Sequence, residues 1–211
     1  MERVNLWRSP EHALNYLTRA DTLPHRQEGE GVILDLIPKD GKRILDLGTG
    51  NGRLVSLLRV DRPQTEFIGV DFSPTMLETA TQRFAEYGNV EIIAHNLDEP
   101  LPELGKFAAV VSSFAIHHLS DRRKRELYGE VFEILEAGGI FCNLEHVSSP
   151  TPALHEYFRR CVGLEEEPDD PSNQLLDVQT QLDWLREIGF GDVDCYWKWL
   201  EFALLVGRKP N

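Results

Sequence analysis

The stretch RILDLGTGNGRL, residues 43–54, decides the fold of this 211-residue chain. It begins with a short apolar run, RILDL, of the kind that forms a buried parallel strand. Gly48, Gly50 and Gly52 follow, where the chain can turn tightly and a ligand can approach the backbone because no Cβ is in the way. The stretch therefore predicts a strand, a ligand-binding turn and a helix, in that order.

Apolar runs and helical patterns alternate along the rest of the chain, which is typical of a mostly parallel sheet covered by helices. The runs predicted to be parallel strands are 43–47, 66–71, 90–94, 108–113 and 139–146. The helices predicted between them are 52–59, 74–87 and 121–135, the last one ended by Gly138 and Gly139. The predicted fold class is α/β, a doubly wound Rossmann-like fold with helices on both faces of the sheet.

The last third of the chain departs from strict alternation. A helix is predicted over 178–190, stopped at Gly189, and two strands follow over 193–199 and 202–209. Because only two residues separate these strands, they are expected to pair as an antiparallel hairpin. The prediction is a mostly parallel seven-stranded sheet with an antiparallel terminal hairpin strand.

One domain is predicted for residues 1–211, and its parts follow the chain. They are a helical N-terminal lid over 1–40, a cofactor-binding core over 41–147, a helical acceptor-side segment over 148–192 and the terminal hairpin over 193–209. Within the first part, 11–20 and 25–37 are predicted helices, and a surface helix fits this segment as well as a lid. The acidic, proline-rich stretch 165–173 is predicted to be a mobile surface loop.

Charge and composition restrict the partners of the chain. A formal net charge of −13 disfavours nucleic acid, whose binding requires neutralising cations. No run approaches the ~20 apolar residues of a membrane span, and the N-terminus lacks the apolar segment of a secretory signal. Three widely spaced cysteines fit a reduced compartment, so a cytoplasmic location is predicted. The one basic run, 122–125, is predicted to be a solvated helix face.

Two acidic residues distinguish between the cofactors that glycine turns bind. The G-T-G-N-G run is one residue too short for a dinucleotide fingerprint, and Asp46 lies two residues before it. A carboxylate there is unfavourable beside a pyrophosphate but suits an ammonium or sulfonium group. Asp71, at the end of the second strand, can accept from ribose hydroxyls, or it can cap the following helix. The turn therefore favours S-adenosylmethionine over NAD.

At this point the chain resembles the class I S-adenosylmethionine-dependent methyltransferases. The resemblance covers roughly residues 40–209, and it depends on the combination of motifs more than on the glycines alone. The motifs that carry it are DLGTGNG (46–52), GVDFS (69–73), HNLDEPLP (95–102), SSFAIHHL (112–119), LEAGGIF (135–141) and the terminal hairpin.

The resemblance implies a cofactor site at the carboxyl ends of the strands. The residue matching Asp71 holds the ribose, the turn from Gly48 to Gly50 faces the methionine portion, and Asn96 and Leu97 approach the adenine. Where this chain has Asn96 the family often has an acid, and an amide can still bond the adenine edge. The predicted cofactor-binding residues are Asp46, Gly48, Thr49, Gly50, Asp71, Phe72, Met76, Asn96, Leu97 and Ser113.

Four residues after the fourth and fifth strands are candidates for catalysis. His117, His118, Glu145 and His146 lie where a bound methyl group would point, and a neutral histidine or a glutamate can take a proton from the acceptor. A packing role at the start of a helix is the alternative for the two adjacent histidines. These two are expected to point to different sides of the backbone, and no metal site is predicted.

The predicted function is transfer of a methyl group from S-adenosylmethionine to a small-molecule acceptor by in-line displacement. One alternative is an enzyme that modifies the cofactor itself, such as a carboxy-S-adenosylmethionine synthase. The terminal hairpin of this chain, CYWKWLEFALLVGRK, loosely resembles the hairpin of those synthases. Another is a non-catalytic module that binds the cofactor. The atom that is methylated and the oligomeric state are left open by the sequence.

Overall fold

The computed structural model of the protein describes residues 9–11, 13 and 23–211. Seven strands form one sheet in this part of the chain. In chain order they are β1 (Arg43–Leu47), β2 (Glu66–Asp71), β3 (Val90–Ala94), β4 (Phe107–Ser113), β5 (Leu135–His146), β6 (Gly191–Trp199) and β7 (Phe202–Arg208).

Helices connect and cover these strands. In chain order they are α1 (Arg26–Leu36), α2 (Arg53–Arg59), α3 (Pro74–Phe84), α4 (Asp121–Ile134), α5 (Pro152–Cys161) and α6 (Val178–Ile188). A single turn of 3-10 helix, Ile116–His118, follows β4. Within the described residues no helix is long and apolar enough to cross a membrane.

The order of strands in the sheet is β3-β2-β1-β4-β5-β7-β6. The first five strands pair in parallel, and β7 runs antiparallel to both β5 and β6. This arrangement confirms the predicted fold class and the antiparallel terminal hairpin. It also places the carboxyl ends of β1, β2, β4 and β5 side by side at one edge of the sheet, where ligands bind in doubly wound folds.

The sheet has a hydrophobic core on each face. Leu45 and Leu47 of β1 pack into a cluster that also contains residues of α4 and α6. Ile44, on the opposite face of the same strand, packs with residues of α1, α2 and α5. Because successive side chains of a strand point to opposite faces, this division explains why the strand is apolar at nearly every position.

Most predicted helix ends agree with the structure, and local chemistry explains them. The Ser120 side chain caps α4 by accepting from the backbone of Arg123, and the Asp177 side chain caps α6 by accepting from that of Thr180. Gly189 ends α6 in the left-handed region with φ 118°. The helix predicted over 74–87 is shorter, because α3 ends at Phe84.

The predicted end of α4 at a glycine pair is wrong. The helix ends at Ile134, and Leu135 already pairs with Phe107 as the first residue of β5. Gly138 and Gly139 lie inside β5, where their backbones bond Lys209 beyond β7. A Cβ on Gly139 would lie 2.9 Å from the Glu136 carbonyl oxygen and 3.2 Å from that of Ala108 in β4, so close backbone approach within and beside β5, not a helix end, favours the glycine.

Two predicted surface segments are tied to the body of the protein. Helix α1 has Ile33 in the core, and a Cβ on its Gly29 would lie 3.0 Å from the Trp197 ring of β6. The helix predicted over 11–20 falls almost entirely outside the described residues, and the division of the chain into four parts stays a prediction. In the loop 165–173, Ser172 is buried, so this loop is more than a solvated surface segment.

Candidate functional site

The glycine turn after β1 is shaped by two close approaches. Gly48, Gly50 and Gly52 all have positive φ, at 68°, 55° and 78°. A Cβ on Gly48 would lie 2.1 Å from the Ala115 Cβ, and one on Gly52 would lie 2.3 Å from the Phe84 ring. These two glycines therefore allow the turn to pack against its neighbours.

Gly50 differs from the other two glycines because space lies above it. The nearest atom to an added Cβ would be the Met76 sulfur, at 3.9 Å. Gly50 presents its backbone to this space, and its N–H donates to Asp71 Oδ2 at 2.9 Å. The opening above a positive-φ glycine, beside a carboxylate, fits the approach of a cofactor to the backbone.

Asp71 fastens the second strand to the glycine turn. Its Oδ1 accepts from the backbone N–H of Ser73 at 2.9 Å, while its Oδ2 holds Gly50. Burial raises the pKa of this carboxyl, and the backbone hydrogen bonds oppose the rise. The Ser73 hydroxyl is buried and has no hydrogen-bond partner among the described residues, so it is available to a polar ligand. Phe72, between these two residues, is half-buried.

Asp46 lies beneath the same turn. Its carboxylate is 2% exposed and accepts from the Thr49 hydroxyl at 2.7 Å. Burial raises its pKa to about 7, and repulsion from Asp71 adds to the rise, while the bond from Thr49 and the charge of Arg26 oppose it. A nearby cation stabilises the ionised form of such a buried carboxylate. The ammonium group of a ligand would be a cation of this kind.

The loop after β3 carries the predicted adenine contacts, Asn96 and Leu97. The Asn96 side chain accepts from the backbone of Asp98 at 3.1 Å, and the Leu97 side chain is buried. The Arg123 guanidinium anchors this loop by donating to the carbonyl oxygens of Leu97 at 2.7 Å and Glu99 at 2.8 Å.

The predicted solvated face of the basic run 122–125 is wrong for its two central residues. Arg123 is 7% exposed and pairs with Glu130, while Lys124 is 1% exposed. The Lys124 ammonium group bonds the Gln174 carbonyl oxygen in the segment before α6. Two charges of one helical turn therefore hold the loops on either side of the site.

The structure brings the four catalytic candidates together at the ends of β4 and β5. His117 Nδ1 lies 2.7 Å from Glu145 Oε1, and both side chains are buried. The ring centroids of His117 and His118 are 3.9 Å apart, so the expectation that these side chains diverge is wrong. The His146 ring lies 5.7 Å from that of His117. The 3-10 turn that follows β4 gives the adjacent rings this common direction.

Burial separates the proton affinities of His117 and Glu145. It raises the pKa of Glu145 to about 7 and holds the pKa of His117 well below its ordinary value. Glu145 also accepts from the His146 backbone at 3.0 Å and from the Asn143 side chain at 3.4 Å. These donors favour the ionised form of Glu145. Its carboxylate accepts a hydrogen bond from the Nδ1–H of a neutral His117, so the Nε2 of His117 is the basic nitrogen.

Sequence reasoning missed Glu201, which organises the neighbouring part of the site. This fully buried carboxylate accepts from His146 Nε2 at 2.9 Å, from His155 Nδ1 at 2.8 Å and from the Ser149 hydroxyl. Burial opposes ionisation, but these three hydrogen bonds lower the pKa of Glu201 overall. The available signal was an acidic residue in the two-residue link of a hairpin that ends at the ligand-binding edge.

No three His, Cys, Asp or Glu side chains are arranged to hold a metal ion in the part of the chain that the structure describes. The histidines of the site instead bond carboxylates and backbone groups. His118 Nδ1 lies 3.3 Å from the Ser172 carbonyl oxygen, in the loop before α6. The site is a network of hydrogen bonds around the carboxyl edge of the sheet.

The fold and the site define a class of protein: a doubly wound sheet with a carboxylate-lined glycine turn after β1. A family model described as a methyltransferase domain matches residues 44–139, which contain this turn, Asp71 and the histidine pair. This match makes residues 44–139 similar to methyltransferase domains, and it supports the resemblance to the class I S-adenosylmethionine-dependent methyltransferases that the sequence predicts. The same match supports S-adenosylmethionine as the cofactor.

Individual relatives agree with the family. A demethylmenaquinone methyltransferase of Thermus thermophilus is 36% identical over 126 residues, which are 58% of this chain and 56% of that protein. A carboxy-S-adenosyl-L-methionine synthase of Nautilia profundicola is 21% identical over 206 residues, 89% of this chain and 87% of that protein. The chain thus spans little more than half of the first relative and most of the second.

A solved structure shows the same fold. Human N-acetylserotonin methyltransferase in complex with S-adenosylmethionine aligns with a TM-score of 0.70 at 18% identity, and the alignment covers 98% of this chain and 58% of that chain. At this identity the likeness concerns the fold alone.

Proposed function

We propose that this protein binds S-adenosylmethionine at the glycine turn and transfers its methyl group to a small-molecule acceptor. The observation that carries the proposal is the pair of contacts from Asp71, which joins the end of β2 to the open side of Gly50. That geometry places the Asp71 carboxylate beside the open backbone of Gly50. A ribose can bond the carboxylate there while it lies against the backbone.

The predicted cofactor residues divide along the ligand. Asp71 and the Ser73 hydroxyl face the ribose, and Asn96 and Leu97 face the adenine, with Phe72 and Met76 as apolar walls. The remaining residues take the methionine portion: Asp46, Gly48, Thr49, Gly50 and Ser113. The burial of Asp46 and Thr49 limits the access of water to the charged end of the ligand and strengthens its contacts with Asp46.

His117 is the proposed general base, and Glu145 is its positioning residue. When bound, the cofactor supplies an electrophilic methyl group, so the protein needs only to align the acceptor and remove its proton. The 2.7 Å contact with Glu145 holds the proton of His117 on Nδ1. Nε2 is then the atom that takes the proton of the acceptor molecule. This role suits a hydroxyl or amine acceptor, whose proton leaves as the new bond forms.

A small acceptor is supported by the charge of the chain. With 35 acidic and 22 basic residues, its surface repels polyanions such as RNA. The described helices and strands form one sheet with its flanking helices, with no separate docking module among them.

A second candidate function is carboxylation of the cofactor itself. The observation that favours it is the match to the Nautilia profundicola synthase, which covers 89% of this chain and 87% of that protein, although its identity is only 21%. Mass spectrometry of the cofactor that co-purifies distinguishes the two. A ligand heavier than S-adenosylmethionine by one carbon dioxide supports this candidate, and S-adenosylhomocysteine, the demethylated product, supports methyl transfer.

The first test is calorimetric titration with S-adenosylmethionine and, separately, with NAD. We expect saturable binding of the sulfonium cofactor alone. In Asp71→Ala, loss of a charged hydrogen-bond acceptor is expected to weaken that binding by at least about tenfold. Asp177→Ala is the matched control, because Asp177 also accepts from backbone N–H groups but caps α6 away from the glycine turn. Binding of NAD, or of neither ligand, contradicts the proposal.

A further inference from the structure

A chain of buried hydrogen bonds connects helix α6 to the carboxylate of Glu145. Its members are Gln181 of α6, Tyr128 of α4 and Asn143 of β5, and each of these side chains is at most 1% exposed. The Tyr128 hydroxyl donates to Gln181 Oε1 at 2.6 Å. Asn143 Nδ2 donates to the Tyr128 oxygen at 3.2 Å and to Glu145 Oε2 at 3.4 Å. The chain therefore reaches one carboxylate oxygen of Glu145, while His117 contacts the other.

The start of α6 sets the direction of the donors in this chain. Gln181 Nε2 donates to the carbonyl oxygens of Leu176 and Asp177, at 3.1 and 3.4 Å. Its Oε1 is therefore the atom that faces Tyr128. Burial and the charge of Glu145 raise the pKa of Tyr128 well above its ordinary value, so the phenol keeps its proton and donates it to Gln181. The Tyr128 oxygen is then an acceptor for Asn143.

The two neighbours of Asn143 determine the orientation of its amide. The Tyr128 oxygen and Glu145 Oε2 both need a donor, and the amide nitrogen supplies one hydrogen to each. Asn143 Oδ1 is buried and has no hydrogen-bond partner among the described residues. Because a buried carbonyl oxygen without a donor costs stability, the orientation follows from the two acceptors and not from Oδ1.

Several groups from different elements determine whether Glu145 is charged. Burial raises its pKa to about 7, and the opposing groups are the His146 backbone, the charge of Lys124, the Asn143 amide and the charge of His146. His117, from the 3-10 turn, contacts Glu145 Oε1. Among these groups, Asn143 has a direction that depends on α6 through two further hydrogen bonds.

We infer that Asn143 and Tyr128 are positioning residues of the His117–Glu145 pair, and that Gln181 sets the direction of their hydrogen bonds. The inference rests on the proposed function, because it concerns the general base of that function. With Glu145 ionised, His117 has its hydrogen on Nδ1, and Nε2 can take a proton. When Glu145 is protonated, the Nδ1 proton passes to the carboxylate and a solvent proton binds Nε2. In this second tautomer Nε2 is no longer basic.

NMR of the imidazole nitrogens in histidine-labelled protein measures this change of tautomer without an acceptor and without turnover. The two tautomers of His117 give different nitrogen signals, and the signals missing from His117→Gln assign them. In the wild-type protein the change is expected to have its midpoint at about pH 7, where Glu145 titrates.

Tyr128→Phe is the main variant, because it removes one oxygen and keeps the ring. The Asn143 amide then loses the acceptor that orients it and can turn Oδ1 toward Glu145, which favours the protonated carboxyl. The midpoint is expected to rise by at least about 0.5 pH unit. Asn143→Leu removes the donor itself, and at least as large a rise is expected. If Asn143→Leu does not fold, Tyr128→Phe decides the test.

Thr65→Val is the matched control for the loss of a buried hydrogen bond. The Thr65 hydroxyl is buried and donates to the Gly41 carbonyl oxygen at 2.8 Å, before the first residue of β2 and so at the amino end of the sheet. Its midpoint is expected to stay within about 0.2 pH unit of the wild-type value.

The outcomes separate this inference from the function on which it rests. An unchanged midpoint in Tyr128→Phe overturns it, because the chain then does not act on Glu145. An equal rise in Thr65→Val, or no change of tautomer in the wild-type protein between about pH 5 and 9, also overturns it. If calorimetry shows no binding of S-adenosylmethionine while Tyr128→Phe raises the midpoint, the proposed function is refuted and the coupling of α6 to Glu145 stands.

Discussion

His117 and Glu145 form a buried pair at the junction of β4 and β5, with Nδ1 and Oε1 2.7 Å apart. Neighbouring strands supply the two residues, because β4 and β5 are paired in parallel up to Ser113 and Leu144. Parallel pairing brings the ends of both strands to the same place, so residues 28 positions apart in the chain can share one proton.

The rate of methyl transfer is expected to rise with pH through about 7. Burial raises the pKa of Glu145 to about 7, and its ionised form is the one that accepts the Nδ1 proton of His117. Below this pH the carboxyl is protonated and no longer orients a basic Nε2, so kcat/KM is expected to fall about tenfold per pH unit. The titration of His117 adds no second inflection to the pH profile near pH 7, because burial holds its pKa well below the ordinary value.

The measurement is the pH profile of product formation at saturating cofactor. Glu145→Gln is expected to remove the inflection near pH 7, since the amide does not titrate. A profile that is flat between about pH 6 and 8 in the wild-type protein contradicts the assignment of the pair.

Replacing His117 is expected to separate turnover from binding. Removal of a general base lowers kcat by about 10²–10⁴-fold, so His117→Ala is expected to lose turnover at this scale. Its affinity for S-adenosylhomocysteine is expected to stay within about twofold, because the contacts of Asp46 and Asp71 are unaffected. Rapid-quench turnover and calorimetry on the same preparation measure the two quantities.

His155→Ala is the control for this prediction. The His155 side chain bonds the same kind of buried carboxylate, Glu201, but belongs to α5 and is not paired with Glu145. Its kcat is expected to remain close to that of the wild-type protein. If both variants lose turnover equally, the histidines act through the stability of the site, and His117 has no special role.

Arg123 is expected to control affinity for the nucleoside. Arg123→Met removes the anchors of the loop that carries Asn96 and Leu97 and leaves Glu130 without this partner. The Glu130 side chain is 27% exposed and also accepts from the Leu101 backbone, so loss of this partly buried pair is expected to cost about 1–3 kcal/mol of the free energy of unfolding. Binding of 5′-methylthioadenosine and of S-adenosylhomocysteine is expected to weaken by the same factor, because both ligands contain the adenosine.

Arg122→Met is the matched control, one residue earlier in the same helix. Its guanidinium group is exposed and pairs with Glu126 across one turn, so the stability of Arg122→Met is expected to stay close to that of the wild-type protein. A loss of affinity confined to S-adenosylhomocysteine in Arg123→Met would show that the loop does not hold the adenosine.

The glycine turn and the strands of the parallel sheet were predictable because they depend on local chemistry. Gly48, Gly50 and Gly52 all need positive φ, and strands buried on both faces must be apolar throughout. The positions of Asp46 and Asp71 follow from the strands that they end. The turn and the two carboxylates beside it could therefore be predicted from residues close together in the chain.

Charged residues whose burial depends on distant partners were not predictable in this way. Arg123 belongs to a basic run whose sequence is typical of an exposed helix face. It is buried because carbonyl oxygens 24 and 26 residues earlier in the chain accept hydrogen bonds from its guanidinium group. Glu201 is buried by histidines 46 and 55 residues earlier. Gly138 and Gly139 misled the prediction because the register of β5 with its neighbours decides their role.

The three glycines of the turn are expected to respond differently to alanine. Gly50→Ala meets no atom closer than 3.9 Å, so its main cost to folding is the positive φ, about 1–2 kcal/mol. Its added methyl group occupies the open side of the turn, and affinity for S-adenosylhomocysteine is expected to fall by at least about tenfold. Gly48→Ala adds a 2.1 Å approach to Ala115 and is expected to cost about 2–4 kcal/mol of the free energy of unfolding.

Denaturant melts and calorimetry of both variants measure these effects, with Gly129→Ala as the control. Gly129 lies within α4, and an added Cβ there meets nothing within 4 Å, so stability is expected to rise by about 0.5–1 kcal/mol with no effect on binding. The informative result is Gly50→Ala, because it separates the turn as a structural element from the turn as a binding surface. A folded Gly50→Ala protein that binds S-adenosylhomocysteine as tightly as the wild type would place the cofactor away from Gly50. The proposed contact between Asp71 and the ribose would then be wrong as well.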